Sequence, residues 1–219
     1  MPHPDFDAVI FDLDGTLLAT EEMTLEAGHA ALTRMGLGVP EGLLLSLVGV
    51  DEPTSRHILR TRLDGALDHD LLARLWSDEM TRLRQQRGIP LRPFAVELIT
   101  ALRGLPLPFA IATSSSRAQA EEKLAASGLR GDFDVVVTRS DVRRAKPAPD
   151  IYLLAAQRLR VAPSRSLAFE DSDVGARAAR AAGMTVVQVP DMVALSGEHA
   201  DLLARDLMAG ARGIGLIAA

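Results

Sequence analysis

Two carboxylates set two residues apart, Asp12 and Asp14, follow directly on the apolar run Ala8-Val9-Ile10-Phe11, with Gly15 and Thr16 next. Along a regular strand such a pair shares one face, so both can address a single bound group. One can attack an electrophile while the other moves a proton, and Gly15 permits the sharp exit such a loop needs. Three further polar clusters follow apolar runs: Thr113-Ser114-Ser115-Ser116, Lys146-Pro147 and Glu170-Asp171-Ser172-Asp173. Together they offer acids, hydroxyls at a helix start and a cation. That inventory suits phosphoryl transfer, where equatorial oxygens must be neutralised and an in-line attack aligned. Carboxylates repel a phosphate unless a cation lies between them, and a hard, all-oxygen donor set suits Mg²⁺. Lys146 and the helix N-terminus behind Thr113 can hold the remaining charge.

The elements that must position these groups are legible as short β-branched or apolar runs. Ala8–Phe11, Phe109–Ala112, Val135–Val137, Leu167–Phe169 and Val186–Val189 read as buried strands. Helical patterns lie between the later ones. Ser116 and Gln119 form a capping-box signature, and Gly128 supplies the stop of that helix. Pro149 suits the first turn of a helix through Leu159, and an Ala-rich helix runs from Ser172 to Ala182. Strand–helix alternation implies a doubly wound parallel sheet, an α/β Rossmann-like core that binds ligands at the carboxyl ends of its strands. Residues 20–88 break the rhythm with amphipathic patterns near 21–36, 53–63 and 68–87 and no convincing strand. The expected division is therefore a core of 1–19 with 89–219 and an inserted all-helical domain at 20–88. The stretch 210–215, with three glycines, reads as loose or as an edge segment.

Composition narrows the partners. The 219 residues carry 24 Lys+Arg against 29 Asp+Glu, a net charge of -5, which gives no general attraction to nucleic acid or anionic membrane. With no cysteine, disulfides, thiolate zinc sites and cysteine nucleophiles are excluded together. No stretch reaches the ~18 apolar residues of a membrane span, and Met1–Asp5 does not open a secretion signal. The expectation is a cytoplasmic protein, monomeric or weakly dimeric, whose partner is a small phosphorylated molecule.

Phe11-Asp12-Leu13-Asp14-Gly15-Thr16-Leu17 resembles the first motif of the haloacid-dehalogenase-like hydrolases. Thr113 resembles the second, Lys146 in Lys146-Pro147-Ala148-Pro149-Asp150 the third, and Phe169-Glu170-Asp171-Ser172-Asp173-Val174-Gly175 the fourth. The resemblance implies that Asp12 forms an aspartyl-phosphate and that Asp14 acts as general acid, then base. It implies Mg²⁺ held by Asp12, the backbone carbonyl of Asp14, and Asp171, with Glu170 assisting directly or through water. Thr113, the backbone of Ser114, and Lys146 would bind the transferring phosphoryl group. The insert resembles the small cap of the β-phosphoglucomutase-like branch, which closes over substrate.

Within the family, an aspartate at position 14 implies phosphatase or mutase chemistry, not dehalogenation. The phosphonate-cleaving branch is disfavoured because the only lysines, Lys123 and Lys146, lie outside the insert. The mutase pattern has a histidine where Thr24 stands and a cap-loop arginine where Glu52 stands, with Arg56 one turn onward. A phosphatase acting on a sugar phosphate or similar metabolite is thus the leading expectation. A sugar phosphomutase and a non-enzymatic phosphometabolite-binding module are the alternatives. Selectivity is expected from the first insert helix and the loop after it: Glu21, Glu22, Thr24, Gly49, Glu52 and Arg56. Ser115 and Ser116 read as helix caps, Arg56, Arg60 and Arg62 as a solvated face, and Trp76 with Leu72 and Met80 as helix packing.

Overall fold

The computed structural model describes residues 6–48, 50, 52–63 and 67–218. Six parallel strands form one sheet: β1 (Ala8–Phe11), β2 (Phe109–Thr113), β3 (Val135–Thr138), β4 (Ser166–Glu170), β5 (Thr185–Gln188) and β6 (Leu202–Leu203). Their order is β3-β2-β1-β4-β5-β6. The chain winds outward from β1 to β3, then returns to the other side of β1, with Val9 in register with both Phe109 and Leu167. This reversal between β1 and β4 is the topological switch point at which open α/β sheets bind ligands.

Alternation along the strands builds the two covered faces. On one, Ile10, Ala168 and Val186 pack with α6 (Asp150–Leu159) and α7 (Asp173–Ala181), whose Ala155, Ala156, Ala178 and Ala179 allow close approach. On the other, Phe11 stacks on Phe169 at 5.2 Å between ring centroids. There the α8 helix (Leu207–Gly213) comes so close that a Cβ on Gly210 would lie 2.7 Å from Val187. Residues 210–215 are therefore mostly helical, not loose. Gly210 and Gly213 mark close packing, a Cβ on Gly213 meeting Leu202 at 2.8 Å, and Gly210 and Ala211 are buried. A further helix, α4 (Ala95–Arg103), buries Ala95, Leu98, Ile99 and Leu102 at helical spacing. Pro149 stands at the cap of α6, one place before its first turn.

Packing divides the chain into two compact units, Met1–Ala19 with Pro90–Ala219, and Thr20–Ile89. The second unit is helical among its described residues: α1 (Glu21–Arg34), a short 3₁₀ turn, α2 (Glu52–Arg62) and α3 (His69–Arg87). Its core is aliphatic, with Ala31, Leu32, Leu43, Leu59, Leu63 and Leu72 buried together. Gly28 of α1 admits the Trp76 ring of α3, which would meet a Cβ there at 2.5 Å. Glu79, the buried acid of this unit, is held by Arg34 and Arg82.

No helix among the described residues is long and apolar enough to cross a membrane.

Candidate active site

The loop leaving β1 folds back on itself, with Gly15 N–H donating to the Leu18 carbonyl at 2.8 Å. Gly15 adopts φ +80°, and a Cβ there would stand 2.1 Å from an oxygen of Asp171. Glycine is thus required twice over, by backbone conformation and by the neighbouring carboxylate. Thr16, next along, donates to Asp171 Oδ1 at 3.1 Å and fixes that acid. Beyond β4, Ser172 caps α7 by accepting from Gly175 N–H and donates to Glu170 Oε2 at 3.2 Å. A Cβ on Gly175 would fall 2.0 Å from Glu170 Oε1, so this glycine leaves the space that Glu170 fills.

Lys146 binds the acids together. Its Nζ lies 2.5 Å from Asp12 Oδ1 and 2.6 Å from Glu170 Oε1, with 4% of the side chain exposed. The ammonium also sits 5.0 Å from the centre of the Tyr152 ring, and the Tyr152 hydroxyl donates to Glu170 Oε1. Burial pushes the Asp12 carboxyl up to about 7, aided by the charges of Glu170 and Asp14 and opposed by Lys146. For Lys146, burial alone disfavours the charge, yet Asp12 and Glu170 hold its pKa above the ordinary lysine value. Burial and the neighbouring acids raise Tyr152 well above the usual phenol range, so it remains a donor.

Asp12, Glu170 and Asp171 each offer a carboxylate oxygen within 4.8 Å of the others. Oxygen donors without imidazole or thiolate fit a hard divalent cation such as Mg²⁺. The Asp14 carboxylate stands outside that group. Lys123 Nζ approaches its two oxygens at 2.7 and 2.6 Å, and Ser115 Oγ donates to it at 2.9 Å. Thr113, 1% exposed at the end of β2, accepts from Ser115 N–H at 3.1 Å. Ser114 is exposed just beyond β2.

The sequence-derived groups Asp12, Lys146, Glu170 and Asp171 are thus in mutual reach, with Asp14 and Thr113 linked through Ser115. Ser116 does close the capping box with Gln119. Ser115 does more than the cap role expected of it, since its hydroxyl holds Asp14. Lys123, Tyr152 and Thr16 were not anticipated as contacts of the acids. Lys123 and Tyr152 arrive from inside helices, where only the helix rotation says which face meets the site, whereas Thr16 lay within the first motif.

In the helical unit, Glu21, Thr24, Leu25, Leu44, Leu47, Val48, Ser55 and Trp76 line a cavity of about 250 Å³. Two expected selectivity residues, Glu21 and Thr24, are therefore in its wall. Arg56 is exposed on α2. Gly49 lies outside the described residues, as does the side chain of Glu52.

Residues 6–183 match the model of the haloacid dehalogenase-like hydrolases, and the chain belongs to that family. It is 38% identical over 187 residues to the fructose-1-phosphate phosphatase YqaB of Escherichia coli (strain K12), covering 84% of this chain and 96% of that protein. The crystal structure of CbbY from Rhodobacter sphaeroides in complex with phosphate is similar at TM-score 0.73 and 31% identity, over 92% of this chain and 94% of that one. A putative beta-phosphoglucomutase from Thermotoga maritima matches at TM-score 0.75 and 30% identity, over 90% and 94% of the two chains.

Proposed function

We propose that this chain is a Mg²⁺-dependent phosphatase that hydrolyses a small sugar phosphate through an aspartyl-phosphate on Asp12. The observation that carries the reading is the meeting of Asp12, Lys146, Glu170 and Asp171 at the β1/β4 switch point, with Asp14 two residues from the nucleophile. Its likeness to a fructose-1-phosphate phosphatase supports the substrate class.

A carboxylate oxygen of Asp12 attacks phosphorus, and the bond to the leaving oxygen breaks as Asp14 delivers a proton to that oxygen. Asp14 then takes a proton from water, which attacks phosphorus and releases inorganic phosphate, restoring the Asp12 carboxylate. Lys146 holds Asp12 in place and, with Thr113 and the Ser114 backbone, offers charge and hydrogen bonds to the phosphoryl oxygens. Asp12, Asp171, the Asp14 carbonyl and Glu170 would hold Mg²⁺, which would neutralise charge on the phosphoryl oxygens. The helical unit supplies selectivity, with Glu21 and Thr24 in the wall of its cavity.

The test is phosphate release from a panel of sugar phosphates, with Mg²⁺ or EDTA, by the wild type and Asp12→Asn. Release is expected only from the wild type with Mg²⁺. Metal-independent release, or a fully active Asp12→Asn enzyme, sinks the mechanism. Interconversion of a hexose 1-phosphate, primed by a sugar bisphosphate and without net phosphate release, would establish the mutase alternative instead.

A further inference from the structure

The two aspartates after β1 are each gripped by a different lysine, and these are the only two lysines among 24 basic residues. Lys146 takes Asp12; Lys123 takes Asp14. Everywhere else the chain uses arginine. A compact ammonium can sit against both oxygens of one carboxylate in a confined space where a forked guanidinium needs more room. The grip on Asp14 is well enclosed: the Lys123 side chain is 13% exposed and that of Asp14 26%.

The path of Lys123 follows from its helix, α5 (Arg117–Ser127). Side chains on a helix lean toward its N-terminus, and α5 begins where β2 delivers Thr113 and Ser115 to the sheet edge. Ala120 and Leu124 bury the inner face of α5, which anchors the second turn that carries Lys123. Its ammonium reaches Ser115 Oγ at 2.9 Å as well as Asp14, so lysine, serine and aspartate form a closed triangle of hydrogen bonds.

We infer that Lys123, with Ser115, is a positioning residue that fixes the orientation of the Asp14 carboxylate for proton delivery to the leaving oxygen. This rests on the acid/base role given to Asp14 above. A carboxylate on a short side chain can rotate away from the leaving group. Displacement of a reacting group by ~1 Å can cost ~10²-fold in rate. Lys123 touches neither the nucleophile nor the carboxylates proposed to hold metal, so its influence passes through Asp14.

The experiment compares two esters in the presence of Mg²⁺. Fructose 1-phosphate has a poor leaving group that needs the proton; 4-nitrophenyl phosphate leaves as a stable phenolate and does not. In Lys123→Met, kcat/KM for fructose 1-phosphate should fall about 10- to 100-fold, a part of the 10²–10⁴ that general acid catalysis supplies. For 4-nitrophenyl phosphate, kcat/KM, which reports transfer to Asp12 and not the later water step that also uses Asp14, should stay within about threefold. Ser115→Ala should show the same pattern more weakly and stands in if Lys123→Met does not fold, as judged by thermal melting. Asp14→Asn is the reference, with the same ester dependence and a larger loss.

An equal loss on both esters, or a raised KM at constant kcat, would overturn the inference and point to a structural or phosphate-binding lysine. If Asp14→Asn shows the ester dependence and neither Lys123→Met nor Ser115→Ala does, the positioning role alone fails. If Asp14→Asn lacks it, the acid/base reading of Asp14 fails first. A wild type inert toward both esters overturns the phosphatase reading and the positioning role with it.

Discussion

Both units bury an apolar core, but the sheet unit also buries a cluster of charged groups. In the sheet unit, Glu170 is wholly inaccessible, Asp12 is 6% exposed, and both are tied to a buried lysine. In the helical unit the described interior is mostly apolar; its buried polar residues are Thr20 and Glu79, and the Glu79 partners Arg34 and Arg82 are each about half exposed. An apolar interior tolerates substitution when volume is kept, because any hydrophobic group of the right size satisfies it. A buried charge cluster is less forgiving, because each charge in it carries a desolvation cost that its partners must offset. The difference indicates where each unit is free to vary: the helical unit can change its cavity lining, while the sheet unit is locked by its own electrostatics.

The largest effect expected from this contrast is at Asp12. Burial raises its carboxyl from the ordinary aspartate range to about 7, so the folded protein holds that proton more tightly than the unfolded chain. Its ionisation therefore weakens the fold increasingly as pH rises from about 4 to about 7. Asp12→Asn should abolish turnover by ~10⁴-fold or more and yet melt about 2–4 °C higher than wild type at pH 7.5 without Mg²⁺. A lower melting temperature in that variant would show that the pairing with Lys146 outweighs the burial of the charge.

Next come two glycines that admit a neighbour by lacking a side chain, one in each unit. Gly175→Ala drives a methyl group into the Glu170 carboxylate, and Gly28→Ala drives one into the Trp76 ring. Overpacking of either kind should cost about 1–3 kcal/mol in denaturant unfolding. Only Gly175→Ala should also lower kcat, by ~10-fold or more, because it displaces a group of the proposed active site. Gly28→Ala should leave kcat for 4-nitrophenyl phosphate within about twofold. Equal kinetic damage from both would break the division of labour between the units.

The smallest effect should come from surface pairs, where the units ought to be alike. Arg165 with Asp7 in the sheet unit, and Arg87 with Glu26 in the helical unit, are roughly half exposed. Neutralising either arginine should move the melting temperature by less than about 1 °C in ~0.15 M salt. A larger shift in one unit would reveal a surface network that distinguishes them.

The same contrast explains what could be read in the sequence. Strand-end acids were legible because several apolar, strand-like runs are each followed by polar groups, which a parallel sheet brings together at its carboxyl edge, where ligands bind. The helices α1, α2 and α3 were legible from apolar periodicity, and the cap of α5 from Ser116 and Gln119. The helix α8 was hidden because Gly210, Gly213 and Gly215 resemble breakers, although Gly210 is there to let Val187 and Phe169 approach. Lys123 and Tyr152 were hidden for another reason. Each is an ordinary helical residue by type and spacing, and only the rotation of α5 and α6 turns it toward a carboxylate.

The position of β1 at the middle of the sheet also governs how the chain must be assembled in time. Its two neighbours are β2, beginning at Phe109, and β4, beginning at Ser166. During synthesis β1 therefore waits unpaired while the whole helical unit is made, and that unit can close its own core from local contacts in the interval. The apolar strand Ala8–Phe11 is the segment exposed longest to misassociation. Asp12, the proposed nucleophile, is among the first of the site residues to be synthesised. Its setting is complete only after Glu170 and Asp171 have left the ribosome, which makes the site a late product of folding and a direct report on whether the sheet has closed correctly.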